Sequence, residues 1–287
     1  MQLRLIIAVG LLLVVSGLGI FLYLTRPGTD SGIETVQLTD LAAEDISRIS
    51  ITRSTGNRIN FTRQDGIWYM QEPYHLAANP LRMHGILGLA SAYSYTQLDA
   101  GSLELQRLQL DPPNLIVYLN DIEIQFGDAS PLGKQRYVLL GQTVHLINDS
   151  LYLQLQAPAT FFLDTRLLPA DADIQSIQYK DYRMVKTGDD WQISPPLENE
   201  QPDINAIVTA WQTAEALSVR EYEMEADTET VTVQMKDHPP VTFNIAVTDS
   251  GMILGRQDLQ LQYHLSRYDY QQMFINTTPG MAASPVE

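Results

Sequence analysis

The chain of 287 residues contains no cysteine. That excludes disulfides, thiolate-bound zinc, a cysteine nucleophile and lipid attachment at a processed cysteine. Positive charge is scarce: 18 lysines and arginines stand against 34 aspartates and glutamates. Through residue 30 the only charged side chains are Arg4, Arg26 and Asp30, so 31–287 carries sixteen basic and thirty-three acidic residues, a net charge of −17. Such a surface repels phosphate backbones, which argues against nucleic acid as a partner, and disfavours lying flat on anionic lipid. The short catalytic motifs are missing as well: there is no G-x-S-x-G, S-x-x-K, P-loop, G-x-G-x-x-G or H-E-x-x-H, and no D-x-D-x-D-G calcium loop. Together these absences point to a non-enzymatic protein with no cofactor and no metal.

What is present begins with one long apolar run, Leu5 to Leu24, free of charge and with Ser16 as its clearly polar member. About 20 apolar residues at ~1.5 Å rise span a bilayer's hydrocarbon core. Tyr23 suits the interface and Pro27 ends a helix. The run exceeds the apolar core of a cleaved signal peptide and lacks a small-x-small site after it, so the reading is an uncleaved transmembrane anchor whose partner is the lipid bilayer. Arg4 and Arg26 nearly balance. The short N-terminal tail and the lack of a later apolar span favour N-in, C-out, which in a bacterium places the bulk of the chain in the periplasm at the inner membrane.

After a linker (28–35) the pattern turns strand-rich. Ile46, Ile49 and Ile51 mark one strand, and Ile59 and Phe61 the next, joined through Ser54-Thr55-Gly56-Asn57. Asp65-Gly66 turns into Ile67-Trp68-Tyr69-Met70. Asn79 as cap and Pro80 as first residue open a helix. Strands follow at Leu115 to Leu119, Ile122 to Phe126, Tyr137 to Leu140 and Val144 to Ile147, with Asn120-Asp121 as a turn, and short helices are expected over 150–156 and 160–167.

The second half repeats this plan. Ile174 to Tyr179 echoes Ile46 to Ile51. Trp191 with Pro196 echoes Trp68 with Pro73, a proline standing five residues after each tryptophan. Pro202-Asp203 opens a helix with Ile204, Ile207, Val208, Trp211 and Ala214 at helical spacing. Leu139-Leu-Gly141 is matched to Ile253-Leu-Gly255, and His145 to His264. The fold class expected is therefore α+β: an N-terminal transmembrane helix (1–27 with its cytoplasmic stub), then two related, mainly antiparallel α+β units produced by internal duplication, 36–168 and 171–276, and a disordered tail, 277–287.

A set of motifs stands out in the first unit: I-x-x-I-x-I at Ile46 to Ile51, D-G-x-W-x-M-x-x-P at Asp65 to Pro73, A-N-P at Ala78 to Pro80, L-x-L-D-P-P at Leu108 to Pro113, Phe126-Gly127, and Arg136 to Val138. With the N-terminal anchor, this resembles the domain of unknown function 4340 family of bacterial envelope proteins. The resemblance covers most of 36–165 and, more weakly, 171–275. It implies an accessory role beside a membrane protein complex, an ABC transporter of the gliding-motility type among them, and supplies no catalytic residue.

Candidate chemistry is thin. His145 and His264 hold similar places in the two units. A metal shared between them is one reading; a structural histidine at a strand end is the commoner one and is adopted here. Carboxylate pairs such as Glu221 with Glu223 and Asp189 with Asp190 arise readily among 34 acids. Trp68 and Trp191, beside equivalent turns, read as core anchors, with Pro73 and Pro196 fixing the chain after them. The leading functional expectation is an anchored extracytoplasmic interaction protein. The alternative is a glycan- or small-ligand-binding protein or hydrolase with a cleft between the units.

Overall fold

A computed structural model describes residues 36–131, 133–196, 202–225 and 228–275. The expected anchor (Leu5 to Leu24), linker and tail lie outside the described residues. Strands dominate what is described, at 46% against 19% helix, and no helix there is long and apolar enough to cross a membrane. This corrects the expected α+β class for the described residues; the leading transmembrane helix of that expectation falls outside them. The four α-helices among the described residues, Pro80–Leu87 (α1), Ser150–Leu155 (α2), Ile204–Thr213 (α3) and Arg267–Met273 (α4), have six to ten residues each. They cover sheets rather than form layers of their own.

The first sheet starts as a meander: Arg48–Arg53 (β2), Arg58–Gln64 (β3) and Ile67–Glu72 (β4), following the two-residue strand Val36–Gln37 (β1). Leu76–Ala77 (β5) returns along β4, and α1 follows. Tyr93–Ser94 (β6) pairs with β1, and Thr96–Asp99 (β7) runs to the far edge. Leu115–Leu119 (β8), Ile122–Ala129 (β9), Gln135–Leu140 (β10) and Thr143–Asn148 (β11) then fill the sheet, in the order β5-β4-β3-β2-β8-β9-β10-β11-β7. The second sheet takes the same path. Ile174–Gln178 (β12), Arg183–Thr187 (β13) and Asp190–Ser194 (β14) form a meander, α3 follows, and Ser218–Glu221 (β15) goes to the far edge. Glu229–Met235 (β16), Val241–Thr248 (β17), Gly251–Arg256 (β18) and Leu261–Ser266 (β19) complete it in the order β14-β13-β12-β16-β17-β18-β19-β15. All strand pairings among the described residues are antiparallel, and between successive strands the short turns require it.

The local chemistry explains the elements. Apolar residues alternate along β2, β3 and β8, so Ile49, Ile51, Ile59, Phe61, Leu115, Val117 and Leu119 all face the core. The β3–β4 turn uses positive φ at Asp65 and Gly66, and the β8–β9 turn at Asn120, residue types that tolerate it. The Asn79 side chain accepts from the Leu81 and Arg82 amides at the start of α1, and Asp203 caps α3 through Ala206.

A linking strand stitches the sheets together. Where a short helix is expected over 160–167, a 3-10 turn at Ala159–Phe162 gives way to an extended run. That run bridges Leu163 to Ala78 and Arg166 to Glu215. The Asp164 amide donates to Ala77 O (3.0 Å), the Ala216 amide to Thr165 O (2.8 Å) and the Leu167 amide to Ala214 O (3.3 Å). Leu163, Leu167 and Leu168 are buried in a core continuous across both halves.

Candidate functional site

The junction leaves a cleft of about 510 Å³ between the halves. One wall is the first half: Asn79 and Arg82 at the start of α1, and Pro158, Thr160 and Phe161 around the 3-10 turn. The other is β15 with its flanks, Leu217 to Glu221 and Glu223. The Arg82 guanidinium stacks 3.9 Å above the Phe161 ring, and Gln154 donates to the Arg82 carbonyl (2.9 Å). Leu217 is 75% exposed, and Leu81, beside Arg82, is 73% exposed. Burial, and then the negative charge of Glu221, push the Tyr74 hydroxyl above its ordinary pKa.

Both carboxylates of the cleft, Glu221 and Glu223, stand on the β15 wall, and the facing wall contributes none. Glycoside hydrolysis needs two carboxylates flanking the scissile bond, so this pair is badly placed for it. No group of three His, Asp or Glu side chains is positioned to hold a metal among the described residues.

A second cleft, of about 470 Å³, also lies at the junction and includes Tyr69, Leu76, Arg166, His238, Arg256 and Tyr263. Its arginines are already paired, Arg166 with Asp164 and Arg256 with Asp258 (2.7 Å), and His238 contacts Asp171 (3.2 Å).

The residues singled out from sequence are not brought together. His145 lies on β11, paired with Val138, and His264 on β19, paired with Ile253; the two stand at different distances from their hairpin turns. They belong to different sheets and have different partners. His145 is buried. Its Nδ1 is 3.0 Å from the Ser94 hydroxyl, which also lies 3.0 Å from Thr96 O. Burial holds the His145 pKa below its usual value. His264 contacts Gln262 (3.1 Å); burial and then the Arg220 charge lower its pKa, opposed by Glu223.

Trp68 is buried on β4, whereas Trp191 is half-buried on β14, the last strand of its sheet. The deep tryptophan of the second half is Trp211 on α3, at 0% exposure. Pro73 directly follows β4. After β14 the directly following residue is Pro195, while Pro196 is exposed. A bulge between Asn60 and Phe61 makes β4 one residue longer than β14, so equal spacing from tryptophan pairs the wrong proline.

The cleft residues that sequence reasoning missed are Arg82, Phe161 and Leu217. Each looks ordinary in its own segment; of the cleft residues the sequence marks Asn79, as a helix cap, and Glu221 with Glu223, as an acidic pair.

Compared with known families, residues 68–243 match the one described as Domain of unknown function (DUF4340). The match spans more than half of the chain, and the chain belongs to that family. Comparison with curated proteins and with solved structures gives no match.

Proposed function

We propose that this protein is a non-enzymatic accessory protein. It is anchored to a membrane by its apolar N-terminal segment and holds its acidic bulk outside the cytoplasm, in the periplasm of a bacterium. There it serves a membrane protein complex, an ABC transporter or an envelope-assembly complex, by docking. The observation that carries this reading is the junction cleft. It combines the edge strand of a sheet, the strongly exposed Leu217 and a stacked arginine, and it sets no carboxylates against each other across a bond. Exposed apolar side chains beside arginine are what protein interfaces enrich.

A second reading places a glycan or small ligand in the same cleft, bound or hydrolysed. Its support is the volume of about 510 Å³, within the range of about 300–1,000 Å³ usual for ligand sites. The one-sided carboxylates weigh against hydrolysis.

The test is purification of the full chain, tagged at its C-terminus, from gently solubilised membranes. A stoichiometric membrane protein in the eluate is the expected result. Repeated recovery of the protein alone counts against the accessory role and directs the work to glycan binding.

A further inference from the structure

We propose that the second junction cleft binds a small, uncharged molecule with an apolar body and one hydrogen-bonding oxygen, which the Tyr263 hydroxyl holds. This goes beyond the docking reading, which concerns the other cleft, and does not rest on it.

Tyr263 carries the inference. On β19 it shares a face with buried Leu261 and Leu265, and it is only 5% exposed. A tyrosine this deep usually finds a partner for its hydroxyl, as Tyr179 does by donating to Met273 O (2.7 Å). The Tyr263 hydroxyl has no hydrogen-bond partner among the described residues. No side-chain oxygen or nitrogen there is both sealed off and unpartnered, so this hydroxyl reaches open space. The space that Tyr263 lines is the cleft of about 470 Å³. Burial raises the Tyr263 pKa, the Arg256 charge opposes that, and Asp164 and Asp258 reinforce it. The phenol therefore keeps its proton at neutral pH and can donate as well as accept.

The rest of the lining sets the class of ligand. Ile67, Leu76, Leu163, Leu167 and Leu259 form an apolar wall, and the volume suits a drug-sized molecule. The arginine charges are cancelled on the spot. Arg256 holds Asp258 through two bonds, of 2.9 and 2.7 Å, and Arg166 holds Asp164. The remaining carboxylate, Asp171, contacts His238 (3.2 Å) and is largely in solvent. An anionic head would have to part an arginine from its aspartate, and an ammonium an aspartate from its arginine. Breaking such a pair leaves one charge uncompensated. An uncharged ligand meets neither cost, and its oxygen finds the one deep polar group that is still free.

The experiment uses the full chain in its native membrane, irradiated with an uncharged aryl ketone that carries a diazirine on its apolar body. Two matched compounds serve as controls: one bears a carboxylate in place of the ketone, the other is a hydrocarbon without oxygen. Adducts are mapped by peptide mass spectrometry. The ketone should label residues 67–77, 163–171 or 256–263, and excess unlabelled ketone should abolish the adduct. Each control compound should label these segments roughly fivefold less or weaker. Tyr263→Phe keeps the ring and removes one oxygen. It should cut the ketone adduct roughly fivefold, equivalent to about 1 kcal/mol of binding, without lowering the melting temperature. Ala170→Trp, at an exposed position of the lining, should block entry and abolish the adduct. The proposal is overturned if no saturable adduct forms in these segments, or if the carboxylate compound labels them as strongly as the ketone. It is equally overturned by a yield indifferent to Tyr263→Phe or to Ala170→Trp; water alone would then meet the hydroxyl.

Discussion

Trp211 has its indole N–H shared between the Tyr179 hydroxyl (2.8 Å) and the Met273 carbonyl (3.2 Å), with the Phe243 and Phe274 rings at 5.7 and 6.0 Å. Removing it deletes a large apolar surface and leaves the Tyr179 hydroxyl without one partner. Trp211→Ala should cost about 3–5 kcal/mol in urea unfolding, as should Trp68→Ala, while half-buried Trp191→Ala should cost clearly less. A larger loss for Trp191→Ala than for Trp211→Ala would contradict this placement. His145 sets a pH dependence. Its folded pKa is depressed by burial, so as pH falls below about 6.5 the unfolded chain takes up a proton that the native state refuses, and stability drops. Unfolding midpoints should fall between pH 7.5 and 5.5, and His145→Gln should flatten that slope. Tyr182 acts at the other end. Burial pushes its pKa up to about 12, so the stability of its neutral phenol is lost as pH rises from about 10 toward that value, and Tyr182→Phe should reduce the loss. At this scale the sequence was informative about Trp68 and about Trp211 as part of an apolar helix face. It was silent on the stacked pair Tyr179 and Tyr182, whose partners come from α3 and from residues 273–275.

The β9–β10 pairing turns on two residues of the family motifs. Register shifts between Arg136 and Val138. Arg136 lies buried, donating to Asp149 and to the Gly127 carbonyl, with its guanidinium over the Tyr152 ring. Gly127 is packed so closely that an added Cβ would collide with the Leu108 carbonyl and the Leu110 side chain. Gly127→Ala should therefore lower stability by about 1–3 kcal/mol; a thermal melt matching that of wild type would contradict it. Elements with strong local signals were readable: the β2–β3 and β8–β9 hairpins from their turns, and α1 and α3 from Asn79 and Asp203. Registers between the halves were less so. Gly141 sits in a turn at φ 59°, whereas Gly255 lies within β18 under Tyr222 and Met224, so the two look alike in sequence and differ in place. The short edge strands β5, β7 and β15 have too few residues to show a period, and tertiary pairing alone makes them strands.

Across the whole molecule, one buried core runs through both sheets and the linking strand. Unfolding should therefore be a single transition, with Trp68→Ala and Trp211→Ala shifting the same midpoint; two separated transitions would mean that the halves stand alone. The class expected from sequence overstated the helices because it counted a helix in each unit without its length. The cleft was out of reach of sequence reasoning because its walls come from 79–82, 158–165 and 217–223, which only the junction brings together. The central claim is that this cleft docks a membrane-complex partner. Its most direct measurement is the molar ratio of partner to tagged protein after gentle solubilisation, compared between the wild-type chain and the Arg82→Glu, Leu217→Asp double variant. The account predicts a fixed stoichiometric ratio for wild type and a loss of most of the partner from the folded variant. An unchanged ratio, or a wild-type protein that always elutes alone, would contradict it.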